Sequence, residues 1–71
     1  MSKLLLKKLS AREKQVFILL SEGLRYKEMA IRLNISIETV RTHVRNIYKK
    51  LEVSSRTDAL NRVFKRPSNY Y

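Results

Sequence analysis

Five side chains could do chemistry together. Glu38, Arg41, Thr42, Arg45 and Lys49 recur at three- and four-residue intervals, which places them on one face of a helix. Lys50 stands beside that face. Residues 39 to 51 include Arg41, Arg45, Lys49 and Lys50 and no acidic residue. A solvent-facing helix usually mixes signs to gain i, i+4 ion pairs. Cations left unpaired in this way gain partners on a phosphate backbone. Arg41 and Arg45 each carry a planar fork that matches guanine O6 and N7, and Thr42 suits a base edge or a thymine methyl. The chemistry implied is recognition of a polyanion, not bond making.

The remaining reactive residue types assemble nothing catalytic. Glu13 and Glu28 each fall at the third position of a predicted helix, where a carboxylate favours the free amides and the dipole. Ser10 and Ser36 read as helix caps, since neither is placed to meet a base. His43 is the sole histidine and there is no cysteine, which argues against a metal site or a thiol nucleophile. His43 flanks the apolar stripe of its helix, and Tyr48 lies near the core edge as packing. No cofactor is expected, and nothing assembles an enzyme.

The outer face needs a rod behind it. Ile37, Val40, Val44, Ile47 and Leu51 step by three and four, so residues 37–51 form an amphipathic helix with Ser36 as its N-cap. Fifteen residues at about 1.5 Å each span ~22 Å, a fit for the ~12 Å-wide major groove. Before it, residues 26–33 form a shorter helix with Met29, Ala30 and Leu33 facing inward, and Asn34-Ile35-Ser36 makes the turn. Helix, short turn and helix make a helix-turn-helix unit. The leading end of the shorter helix carries Arg25, Tyr26 and Lys27 beside free amides, a setting for phosphate.

Two further helices complete an all-α, four-helix expectation. The first opens on the capping box Ser10-Ala11-Arg12-Glu13, carries Val16, Phe17 and Leu20 inward and stops near Gly23. The last spans about 55–65, with Ala59, Leu60, Val63 and Phe64 on one side. These four could be intramolecular core only, but in so small a chain they read in preference as a surplus apolar face and a homodimer contact. Residues 1–9 read as a lead-in, 10–65 as the domain, and 66–71 as a tail beyond the helix stop at Pro67.

The chain has 71 residues, enough for one small core and no cofactor fold. Sixteen Lys and Arg against six Asp and Glu give a net charge of +10, which favours nucleic acid over an anionic membrane surface. The longest apolar runs fall far short of the ~20 residues a bilayer span requires. Two rivals share the composition. A basic helical protein-interaction module would use the same face on an acidic partner, and Lys3-Leu4-Leu5-Leu6-Lys7-Lys8 could rest on a membrane. Neither requires the helix-turn-helix spacing.

Taken together, Leu9-Ser10-Ala11-Arg12-Glu13, Gly23, Lys27-Glu28-Met29-Ala30, Leu33, Ile35-Ser36, Thr39-Val40, His43, Asn46-Ile47, Lys50-Leu51-Glu52-Val53 and Arg56-Thr57-Asp58-Ala59 resemble the LuxR-type (NarL/FixJ/GerE) helix-turn-helix. The resemblance runs from Leu9 to about Val63. It implies a bacterial, cytoplasmic transcription regulator whose third helix enters the major groove and whose fourth forms a dimer on near-palindromic DNA. RNA polymerase is a further partner it allows. By position, base reading falls on Arg41, Thr42 and Arg45, and phosphate contacts fall near Tyr26, Lys27, Thr39, Lys50 and Arg56, with Lys49 adding charge. Where the family has Ser or Thr followed by Asn, this chain has Arg25 and Tyr26, so Arg25 offers a side-chain phosphate contact instead. The resemblance implies either the output domain of a response regulator or a stand-alone GerE-like regulator.

Overall fold

The structure is a computed structural model that describes residues 3–64. Its elements in chain order are α1 (Lys3–Leu6), α2 (Ala11–Ser21), α3 (Tyr26–Leu33), α4 (Ile37–Leu51) and α5 (Arg56–Phe64). The groove-reading helix expected from sequence is therefore α4, and the four long predicted helices are α2 to α5. The tail 66–71, Lys65 and the first two residues lie outside the described residues.

Three of the four long helices, α2, α4 and α5, start where a serine side chain satisfies a free amide. Ser10 Oγ accepts from the Glu13 amide at 3.1 Å, and Glu13 Oε1 accepts from the Ser10 amide at 2.8 Å, which completes the capping box of α2. Ser36 Oγ accepts from the Thr39 amide at 3.0 Å and fixes the first turn of α4. Ser55 Oγ accepts from the Asp58 amide at 3.1 Å at the head of α5. The predicted start of that helix at residue 55 is thus its cap.

Three helices end by one device. Gly23, Asn34 and Glu52 have positive φ (83°, 57° and 58°), and the following residue turns its amide back onto the helix. The pairs are Leu24 to Leu19 O, Ile35 to Ala30 O and Val53 to Tyr48 O, at 3.2, 3.0 and 3.0 Å. Leu24, Ile35 and Val53 then pack against the core. Each stop therefore reverses the chain and delivers an apolar side chain inward.

The core is built by Leu9, Val16, Phe17, Leu19, Leu20, Met29, Ala30, Val40, Val44, Ile47, Leu51, Ala59 and Val63. Helix α4 packs on both α2 and α3, so it is braced from two sides. Leu33 is half-buried and packs against the core, as expected. One inward assignment needs correction: Ile37 is exposed at the head of α4, because the stripe begins where that helix overhangs the core.

Two other expectations need correction. The lead-in contains a short helix, and Leu5, Leu6 and Leu9 pack on or within the core. One turn cannot stand by itself, so packing against α5 makes it helical. The supposed surplus face of the last helix is also consumed. Ala59 and Val63 are fully buried in the protein's own core and cannot line a dimer contact. Leu60 and Phe64 are half-buried against the same core, with the Phe64 ring 6.0 Å from that of Phe17.

Candidate nucleic-acid interface

The stripe Val40, Val44, Ile47 and Leu51 is buried, which turns Glu38, Arg41, Thr42, Arg45 and Lys49 outward. All five are exposed. The structure thus brings together the residues expected to read bases, but it does not leave them equivalent.

Arg41 Nη1 donates to Glu38 Oε2 at 3.1 Å, an ion pair one turn apart with the two side chains 56% and 81% exposed. Such exposed pairs are weak, with a median of about 0–1 kcal/mol, so Arg41 can be released to a stronger acceptor. Thr42 Oγ1 donates to Glu38 O at 3.1 Å. Its proton is committed to the helix, and what it offers a base is an acceptor lone pair and a methyl. Among the described residues, the side chains of Arg45 and Lys49 have no hydrogen-bond or ion-pair partner.

The residues expected to meet phosphate lie on the flanks. Thr39 is exposed, but its hydroxyl lies 2.9 Å from that of Ser36 within the cap. Arg25 stands extended at the head of α3 (φ −82°, ψ 159°), and its backbone amide donates to Glu28 Oε1 at 2.7 Å. This is half a capping box. An arginine side chain only donates, so it cannot cap the Glu28 amide in return. The leading amides of α3 therefore have no side-chain cap. Arg25 and Lys27 are exposed beside them, with Tyr26 half-buried.

Two expected phosphate contacts are partly engaged elsewhere. Lys50 Nζ donates to Glu13 Oε1 at 2.7 Å. The Lys50 side chain is 42% exposed and that of Glu13 only 7%. Burial pushes the Glu13 carboxyl up. The Lys50 hydrogen bond, the Ser10 amide and the Lys50 charge outweigh it and hold the group below its ordinary 4.5. Arg56 Nη2 donates to Leu24 O at 2.8 Å and ties the head of α5 to the α2–α3 loop. Neither contact was visible in the sequence, since the partners lie 37 and 32 positions apart. Tyr48 packs against the core, as expected. Its half-buried hydroxyl is pushed up to about 12 by burial and by Tyr26, with Arg56 acting the other way.

Residues 7–63 match the luxR family of bacterial regulatory proteins. The chain belongs to that family. It carries the family's helix-turn-helix, the DNA-binding part of a transcription regulator. It is 44% identical over 54 residues to YhjB of Escherichia coli (strain K12), covering 76% of this chain and 27% of that protein. It is 41% identical over 56 residues to the monoamine regulon transcriptional regulator of Klebsiella aerogenes, covering 79% and 25%. It is 44% identical over 52 residues to the response regulator protein VraR of Staphylococcus aureus (strain Mu3 / ATCC 700698), covering 73% and 25%. The chain thus spans about a quarter of the length of these curated relatives. No solved structure matches the chain at comparable stringency. Among the described residues, no helix is long and apolar enough to cross a membrane.

Proposed function

We propose that this LuxR-family unit regulates transcription by laying α4 in the major groove of duplex DNA. Arg41, Thr42 and Arg45 face base edges. Arg25, Tyr26, Lys27, Thr39, Lys49 and Arg56 grip phosphates on either side. The observation that carries this reading is that, among the described residues, the side chains of Arg45 and Lys49 have no partner, on an exposed face opposite the buried stripe Val40, Val44, Ile47 and Leu51. Leaving two cations a turn apart with no acid between them costs repulsion, which a phosphate backbone relieves. Lys50 contributes less than its charge suggests, because Glu13 already neutralises it.

Two copies would bind a near-palindromic site with half-sites about 10 base pairs apart, through what α5 leaves exposed rather than through Ala59 and Val63. RNA polymerase is a further partner of such a regulator, and the bacterial cytoplasm its place of action.

A titration of random-sequence duplex DNA at several salt concentrations tests the core of this proposal. Binding at low salt should weaken steeply as salt rises, by about 0.9 in log–log slope for each phosphate engaged. Failure to bind duplex DNA at low salt would leave only a basic interaction module with an acidic protein partner.

A further inference from the structure

One residue on the outer face of α4 has the opposite sign to its neighbours. Glu38 is the only acidic residue in α4, beside Arg41, Arg45, Lys49 and Lys50. Its side chain is 81% exposed. It precedes Arg41, Thr42 and Arg45 on their own face, one turn nearer the head of the helix. A helix-turn-helix sets the leading residues of its second helix against base edges. With Arg41, Thr42 and Arg45 on bases, Glu38 meets bases too, and the duplex-binding proposal gives it no task.

Stability does not account for an acid at this position. Ser36 Oγ already caps the Thr39 amide at 3.0 Å. The ion pair between Glu38 and Arg41 is exposed on both sides and therefore weak. Thr42 uses the backbone oxygen of Glu38, not its carboxylate. Toward DNA the carboxylate is repelled by phosphates and by the acceptors guanine O6 and N7 and thymine O4. It can only accept, and a donor for it in the major groove is a base amine. The pairing with Arg41 decides which amine. Arg41 Nη1 lies 3.1 Å from Glu38 Oε2, so donors and an acceptor are presented side by side. A guanidinium has five N–H donors and can hold Glu38 and a guanine at once. A G·C pair offers the matching array, two guanine acceptors beside the cytosine N4 amine.

We propose that Glu38 is a specificity-determining residue: with Arg41 on the guanine, its carboxylate accepts from the cytosine amine of the same base pair, and where that amine is missing it stands unpaired against a polyanion. Glu38 thus adds to sequence choice by attraction to one pair and repulsion from the rest. This rests on the duplex-binding proposal.

The test compares wild type with Glu38→Ala on three duplexes. The first is the site that wild type enriches from a random pool, in which Arg41→Ala identifies the G·C pair by erasing its preference. The second is the same site with 2-pyrimidinone, which lacks the N4 amine, in place of that cytosine. The third is random duplex. Wild type should bind the second about tenfold more weakly than the first, the worth of one hydrogen bond to a charged group. Glu38→Ala should bind those two alike, and should bind random duplex about twofold more tightly than wild type at low salt, since one repelling charge is gone. An equal loss on 2-pyrimidinone in both proteins, or no loss in either, overturns the proposal. So does an enriched site with no G·C pair that depends on Arg41, or weaker binding of random duplex by Glu38→Ala, the mark of a helix-supporting role alone. Wild type that binds no duplex overturns the duplex-binding proposal itself, whereas an enriched site indifferent to Glu38→Ala overturns only the role of Glu38.

Discussion

Glu13 shows how one side chain serves both local and long-range order. Its carboxylate closes the cap of α2 and holds Lys50 at the far end of α4. Because the folded protein holds this group below its ordinary 4.5, its contribution to stability is complete above that value. It is lost as pH falls through the lower folded value. Melting temperature should therefore decline on acidification below about pH 4.5. A Glu13→Gln variant keeps the cap acceptor but not the charge. It should melt lower at neutral pH and decline less in acid, as a pH series of thermal melts would read. Lys50→Ala strands a buried carboxylate, a loss of several kcal/mol when a pair is fully enclosed. With Lys50 substantially exposed, water and screening reduce the expected cost to about 1–2 kcal/mol in denaturant titration. Arg45 is the opposite kind of residue. Its exposed side chain makes no hydrogen bond or ion pair among the described residues, so Arg45→Ala should leave the melt within about 0.5 kcal/mol of wild type. On DNA the same change should cost about 1–3 kcal/mol and relax the choice at one base pair.

At the scale of elements, helix boundaries were the most legible feature. Ser10, Ser36, Gly23 and Asn34 are residues whose chemistry acts within four positions, and the chain starts and stops its helices at them. The exposed face of α4 was legible for the same reason, since a helix converts spacing directly into direction. What spacing cannot express is which helix meets which. The Glu13–Lys50 and Arg56–Leu24 contacts, the use of Ala59 and Val63 as core, and the helical turn of α1 all depend on packing between distant segments. Glu52 lies between these cases. It occupies a left-handed position at φ 58°, where a side chain with a Cβ is strained. Glu52→Gly should relieve that strain. After the added entropy of the unfolded chain is subtracted, it should stabilise the protein by about 0.5–1 kcal/mol in equilibrium unfolding. Ser36→Ala should do the reverse at the other end of α4 and cost about 1 kcal/mol.

For the whole molecule, a +10 charge and a fully used core leave few routes to specificity other than an outer helix face. Such a charge alone produces affinity for any duplex. Discrimination has to come from the side chains of α4 that reach base edges. Selection of bound duplexes from a random pool, with wild type and Arg45→Ala in parallel, measures that difference directly. Wild type should enrich a near-palindromic motif with half-sites about 10 base pairs apart, and the variant should lose preference at one position in each half-site. A pool that stays random under wild type, or a motif unchanged by Arg45→Ala, would contradict base reading by α4.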